Sequence, residues 1–259
     1  KNEDALKNAS AYLNLIEKNH HLLRRNTFYY IVGLRNKILV LRQLGRHKEL
    51  QAVLTKLRDV RCHNVNQKVI KFTTYYTFSL LSLLDSGDFE QAAKLVPEIE
   101  PELDNFGDLV EKASVLQLRM LIAKVHFGKK DYDAAITVLN RILGEKQIKG
   151  YLNICLSAKI LLMLSHYELG NVSLMPSLAR SIMRQMKLEG LENSPEYLFV
   201  KAFREKNLSP GLLRNLFSEM EVFITCKKLQ PVLDFISLRD YMRSKVEINE
   251  AAVLKAPVS

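Results

Sequence analysis

Tryptophan is absent from this 259-residue chain, and it holds only 10 glycines, 7 prolines and 3 cysteines. The scarcity of glycine and proline removes the two strongest interrupters of helix. Leucine dominates the apolar positions, with lysine, glutamate and alanine abundant, so the composition favours helix. The cysteines Cys62, Cys155 and Cys226 are odd in number, far apart and outside any Cys-x-x-Cys or Cys/His cluster. That argues against a disulfide framework or a structural zinc. It predicts reduced, mostly buried thiols in a cytoplasmic protein. Long apolar runs are also missing: the longest strictly apolar one, Ile160 to Leu164, is too short to span a bilayer. No membrane partner is therefore expected. The chain opens Lys1-Asn2-Glu3-Asp4 without methionine or a secretion signal, so it is expected to be a piece of a longer protein. Without such a signal, the glycosylation patterns at Asn8, Asn171 and Asn207 are chance matches.

Catalytic signatures are lacking too. The phosphate-binding G-x-x-x-x-G-K-[ST], the dinucleotide G-x-G-x-x-G, H-E-x-x-H and G-x-S-x-G do not occur. Asn19-His20-His21 has no third ligand at useful spacing and is expected to be an exposed turn. Glu98, Glu100, Glu102 and Asp104 cluster beside two prolines but lack calcium-loop spacing. Cys155 and His166 share a helix face three turns apart, about 16 Å, too far for a nucleophile and its base. The expectation is a non-enzymatic protein with no cofactor and no metal.

What is present is helical periodicity over a 47% hydrophobic composition. Apolar positions three and four apart predict helices over residues 4–18, 27–44, 47–60, 67–85, 89–99, 108–127, 131–143, from about 150 to 169, and 173–188. Pro97 is expected to bend or end the 89–99 helix, because proline removes an internal hydrogen bond. Shorter helices are expected to start at Ser194-Pro195 and at Ser209-Pro210, with a last one over 232–246. No segment alternates with period two for long enough to be a strand. Gly45, Gly87, Gly128 and Gly170 recur at intervals of 42, 41 and 42 residues, each between two helices. Turns at so regular a spacing argue for stacked helical hairpins.

Two of these turns resemble each other closely. Gly87-Asp88-Phe89 leads to Ala92, and Gly128 through Tyr132 leads to Ala135, at an offset of 43 residues. An aromatic followed by alanine at i+3 lies on one helix face, where a crossing helix can approach over the alanine. Gly87, Phe89, Ala92, Gly128, Tyr132 and Ala135 are thus read as repeat-packing residues. The motif resembles tetratricopeptide repeats, in a form lengthened to about 42 residues from the usual 34. The C-terminal stretches Glu196-Tyr197-Leu198-Phe199 to Phe203-Arg204, and Phe235 to Lys245, resemble the end of a group of long bacterial repeat proteins. Those proteins pair extended tetratricopeptide-like hairpins with a helical tail. The resemblance implies an all-α fold: a right-handed α-solenoid of stacked antiparallel helix hairpins with a C-terminal helical cap. On this reading residues 1–26 belong to a preceding repeat and 27–190 form about four hairpins. Residues 191–248 form the cap and 249–259 a frayed tail, and the chain is the C-terminal half of a longer solenoid.

The net charge of +10 is uneven. Residues 81–111 carry nine acids against Lys94, a net −8, while 1–80 carry +10 and 112–259 carry +8. A basic balance suits an anionic partner, but the acidic block interrupts any continuous phosphate-binding stripe. The helix 108–127 is apolar nearly all round, yet Gln117 and Lys124 interrupt it seven residues apart. A shift of 42 gives Lys159 and His166, and a shift back gives Tyr75 and Ser82. Arg35 and Arg42 show the same spacing, displaced by two. In repeats of the resembled type, the first helix of each hairpin lines the concave face. These eight residues are therefore the candidate groove, a basic wall suited to an acidic peptide or a carboxylate terminus. The expected function is a protein-interaction scaffold. A nucleic-acid-binding helical repeat is the alternative, though no ladder of base-stacking aromatics is visible. A peptide-sensing regulator on the same repeats is a further one.

Overall fold

The structure is a computed structural model that describes residues 2–19, 21, 25–146, 148, 150–204, 215 and 241. Among these residues there are ten α-helices, three short 3-10 turns and no strand. The helices are α1 (Asn2–Lys18), α2 (Thr27–Gln43), α3 (His47–Asp59), α4 (Val65–Asp85), α5 (Phe89–Phe106), α6 (Lys112–Gly128), α7 (Tyr132–Leu143), α8 (Leu152–Glu168), α9 (Met175–Leu188) and α10 (Pro195–Ala202). The chain divides into two compact units, residues 1–129 and 130–259. No helix among the described residues is long and apolar enough to cross a membrane. The helices expected from Ser209 onward, the tail at 249–259, Cys226 and His20 lie outside the described residues.

In the first unit, α2 packs on α1, on α3 and on α4. One step on, α4 has the same relations: it meets α3 before it, its own partner α5, and α6 after it, and α5 also packs on α6. The pairs α2/α3 and α4/α5 are each joined by three residues, which forces neighbouring helices to run antiparallel. The seam is apolar. Ile31, Leu34, Ile38 and Leu41 of α2 and Leu50 and Leu57 of α3 are completely buried, each worth roughly 1.5–3 kcal/mol of transfer free energy. Helix α6 is buried on most sides, through Leu116, Leu118 and the run Arg119 to Ala123. In the second unit α8 packs on α7 and α9, and α9 on α10. Leu139, Ile142, Leu156, Ile160, Leu164, Ala179, Met186 and Phe199 are its fully buried centre.

The caps explain where helices begin and stop. Asn64, Asp88, Asp131 and Ser194 each accept a hydrogen bond from the backbone N–H three residues on, satisfying a donor the helix leaves open. Helices α2, α4, α8 and α9 end on Gly45, Gly87, Gly170 and Gly190, all with positive φ. At each, the glycine N–H and the next N–H fold back on the last turn, as in Arg46 N–H to the Leu41 carbonyl at 2.9 Å. The third turn is built differently. Gly128 is the last residue of α6, and the positive φ (63°) falls on Lys130. Gly128 is needed for space: a Cβ there would sit 2.2 Å from the Phe89 ring. The aromatic of α5 thus lies flat on the α6 backbone. Ala92 and Ala135 are fully buried, one helical turn from their aromatics.

Two expected boundaries move. Pro97 does not end α5, which runs through both Pro97 and Pro101 to Phe106. Both prolines are exposed, so the carbonyls they leave without an N–H partner face water, where the loss is smallest. Helix α6 begins at Lys112, not 108, because Gly107–Leu109 form a 3-10 turn behind a positive-φ glycine.

Candidate functional site

Of the eight candidate groove residues, Arg35, Arg42, Tyr75, Ser82, Gln117 and Lys124 lie in the first unit, on α2, α4 and α6. Of these, α2 and α4 each open an antiparallel pair of helices. Arg35 is exposed and Gln117 half-buried. Arg42 is half-buried and reaches from α2 to Asp85 at the end of α4. Its Nε donates to Oδ2 at 2.6 Å and its Nη2 to Oδ1 at 3.0 Å, a two-point fork on one carboxylate. The hydrogen bond to Asp85 raises the guanidinium pKa further.

Lys124, on α6, feels the charge of the same carboxylate without pairing with it. It is half-buried, and among the described residues no hydrogen bond or ion pair reaches its ammonium. Burial pulls its pKa below the ordinary lysine range. Asp85 partly opposes that pull and Arg42 adds to it. Two cations, on α2 and α6, thus share the field of one carboxylate on α4, and only Arg42 bonds to it. The excess positive charge is held where water only partly reaches, so its field is screened less than that of a surface lysine.

The remaining two residues of this unit face other groups. Ser82 is buried and accepts a hydrogen bond from Gln51 Nε2 of α3 at 3.0 Å, which commits its hydroxyl to a helix contact. Tyr75 packs against the apolar centre of α1 to α4 and meets Tyr76 edge-on, ring centroids 5.1 Å apart. Tyr76 donates to Glu98 of α5 at 2.6 Å.

Lys159 and His166 belong to the second unit, on α8. Lys159 donates to Gln185 Oε1 of α9 at 2.6 Å, and Gln185 Nε2 in turn lies 3.7 Å from the buried Cys155 Sγ. His166 Nδ1 accepts from Asn171 Nδ2 at 3.3 Å, across the turn that ends α8. Tyr132 is half-buried and its hydroxyl lies 3.5 Å from Glu168 Oε2, while Tyr241 donates to the other oxygen at 2.6 Å.

No known protein family, curated protein or solved structure matches this chain. The chemistry is therefore read from the geometry alone.

Asp85 is the residue that sequence reasoning missed, and a signal for it existed. It stands 43 residues after Arg42, one repeat on, with the opposite charge. Gln51 and Gln185 were missed because each answers a polar group across a helix contact, which periodicity on one helix does not show, and Asn171 because it reaches back over the turn that ends α8. Another polar cluster joins α1, α2 and α3. Glu17 accepts from the Tyr30 hydroxyl at 2.8 Å and from Lys56 at 3.1 Å, beside a cleft of about 770 Å³ that also touches Asp59, Arg61 and His63. Burial raises the Glu17 pKa, and the bonds from Tyr30 and Lys56 outweigh it and bring the carboxyl below its usual value. Here carboxylates and cations are mixed, so the cleft has no net preference for one charge. Among the described residues no group of three or more His, Cys, Asp or Glu could hold a metal.

Proposed function

We propose that this chain is a non-enzymatic interaction scaffold: a tetratricopeptide-like solenoid of helical hairpins that holds an acidic segment of a partner protein. The segment lies against the row formed by α2, α4 and α6. The observation that carries this reading is the half-buried Lys124 ammonium, which feels the charge of Asp85 while Arg42 alone bonds that carboxylate. Arg42 already satisfies Asp85 with two hydrogen bonds. The Lys124 ammonium is left with charge and donors to give to an incoming carboxylate. Burial has removed part of its hydration, so a carboxylate that replaces the lost water gains more than it would at a surface lysine. Arg35, exposed two turns before Arg42 on α2, extends the same positive row. The recurring helix relations of the first unit support the solenoid.

The test uses a fluorescein-labelled peptide rich in Asp and Glu with a free C-terminal carboxylate, titrated with the protein. Binding that falls by about tenfold in Lys124→Met, equivalent to about 1.4 kcal/mol, is the expected result. Equal affinity in the two proteins sinks the assignment. A single-stranded oligonucleotide serves as the competing probe. If it binds better than the peptide and weakens steeply with salt, the nucleic-acid reading takes over.

A further inference from the structure

The second unit has a groove that the proposed function does not use. It runs between α9 and the end of α10, has a volume of about 600 Å³, and is lined by Arg180, Met183, Arg184, Lys187, Leu188 and Arg204. Four of the six are cations, all exposed. None of the four has a hydrogen-bond or ion-pair partner among the described residues. Arg180, Arg184 and Lys187 follow at i, i+4 and i+7, so they line one face of α9. The floor is apolar: Met183 is nearly buried, and Leu188, at 79%, is the most exposed large apolar side chain described. Uncompensated positive charge around an apolar floor calls for a ligand that is anionic at its rim and apolar at its centre.

The chain itself carries that complement. Its acidic block, net −8 over residues 81–111, ends in the corner Gly107-Asp108-Leu109-Val110-Glu111. Leu109 is 55% exposed there. Asp108 and Glu111 flank it, both exposed and neither paired among the described residues. Asp108 and Leu109 lie in the short 3-10 turn after α5, and Glu111 lies just before α6.

We propose that this acidic corner of one copy docks in the basic groove of a second copy. Leu109 lies against Met183 and Leu188, with Asp108 and Glu111 facing Arg184 and its neighbours. The two surfaces differ, so the contact is head-to-tail: a pair of copies retains one free groove and one free corner, and assembly proceeds by addition. The contact is small and largely electrostatic, so it is weak and loosened by salt.

Sedimentation velocity of the full chain over a concentration series tests this. At low salt the weight-average sedimentation coefficient climbs with concentration, and about 0.5 M NaCl reverses the climb. Arg184→Glu/Lys187→Glu and Asp108→Lys/Glu111→Lys each abolish association at least tenfold below the wild-type level. All four side chains are exposed, so the variants keep the helical circular-dichroism signal, which is recorded alongside. An equimolar mixture of the two variants associates again, because each reversed surface meets its opposite. The proposal is overturned if the wild-type chain stays monomeric throughout at low salt, if either double variant associates as the wild type does, or if the mixture remains monomeric. Uptake by the groove of anionic lipid vesicles, with the chain monomeric, also overturns it in favour of a membrane surface.

Discussion

Polar residues of the candidate groove are used in two different ways in the two units. In the first, Arg42 of α2 is answered by Asp85 of α4, while Lys124 of α6 feels that carboxylate's charge without bonding to it. In the second, Lys159 is answered inside its own hairpin, by Gln185 of α9, a neutral side chain that also touches Cys155. The helix after next in the chain supplies the partner in one case, and the next helix supplies it in the other. The lesson is that a polar stripe read from spacing alone mixes two kinds of residue. Some carry charge that no neighbour bonds, and some close a helix contact.

The largest effect expected concerns the seam that places Lys124. Gly128→Ala puts a methyl into the Phe89 ring and should cost about 1–3 kcal/mol, as overpacking does. Urea unfolding of the full chain measures it. The companion Phe89→Leu should recover much of the loss when combined with it, a coupling that separate additive effects would not produce. The cost should also displace α6 and weaken peptide binding, while the Lys159 hairpin is unaffected.

Next comes the test of commitment. Gln185→Leu removes the acceptor of a half-buried ammonium and should destabilise by about 1.5–2 kcal/mol. Lys159→Met in the same background should restore most of it. If Gln185→Leu costs nothing, Lys159 is free and the contrast between the units fails.

Asp85→Asn should cost less, about 0.5–1 kcal/mol, because the Arg42–Asp85 pair is about one-third exposed on both sides. It should also lower the Lys124 pKa further, since it removes the one charge that holds it up. The peptide loses its internal competitor at the same time, so at neutral pH its affinity should rise or hold.

The smallest effect is in pH. The folded Lys124 pKa is below its unfolded value, so between the two the unfolded chain binds more protons. Stability therefore rises as pH climbs through that window, relative to Lys124→Met, which has nothing to titrate there. Affinity for an anionic peptide moves the other way, falling as the ammonium loses its proton. Parallel urea titrations and binding curves at several alkaline pH values show both trends. A stability difference that falls with pH contradicts the lowered pKa.

Much of the helix order was legible in the sequence. Caps such as Asp88 and Ser194, glycine stops such as Gly45 and Gly170, and apolar spacing all act within one or two turns, so they can be read locally. Gly128 was legible as a punctuation mark but not as what it is. Its role depends on Phe89 lying 39 residues away, and the left-handed position falls on Lys130, which has no side-chain signature for it. Pro97 misled because its cost depends on which face of α5 it occupies. For the site, Arg42 and Lys124 could be found by spacing. Asp85 fell just outside the i/i+7 stripe, and the engagement of Ser82 by Gln51 needs a contact between two helices that no single-helix pattern contains.

The most direct measurement is the affinity of the labelled acidic peptide for three proteins, the wild type, Lys124→Met and Lys159→Met, at neutral pH and moderate salt. The account predicts a loss of about tenfold for Lys124→Met and a change of less than about twofold for Lys159→Met, since its ammonium is already held by Gln185. Equal losses in both variants, or none in either, would contradict it.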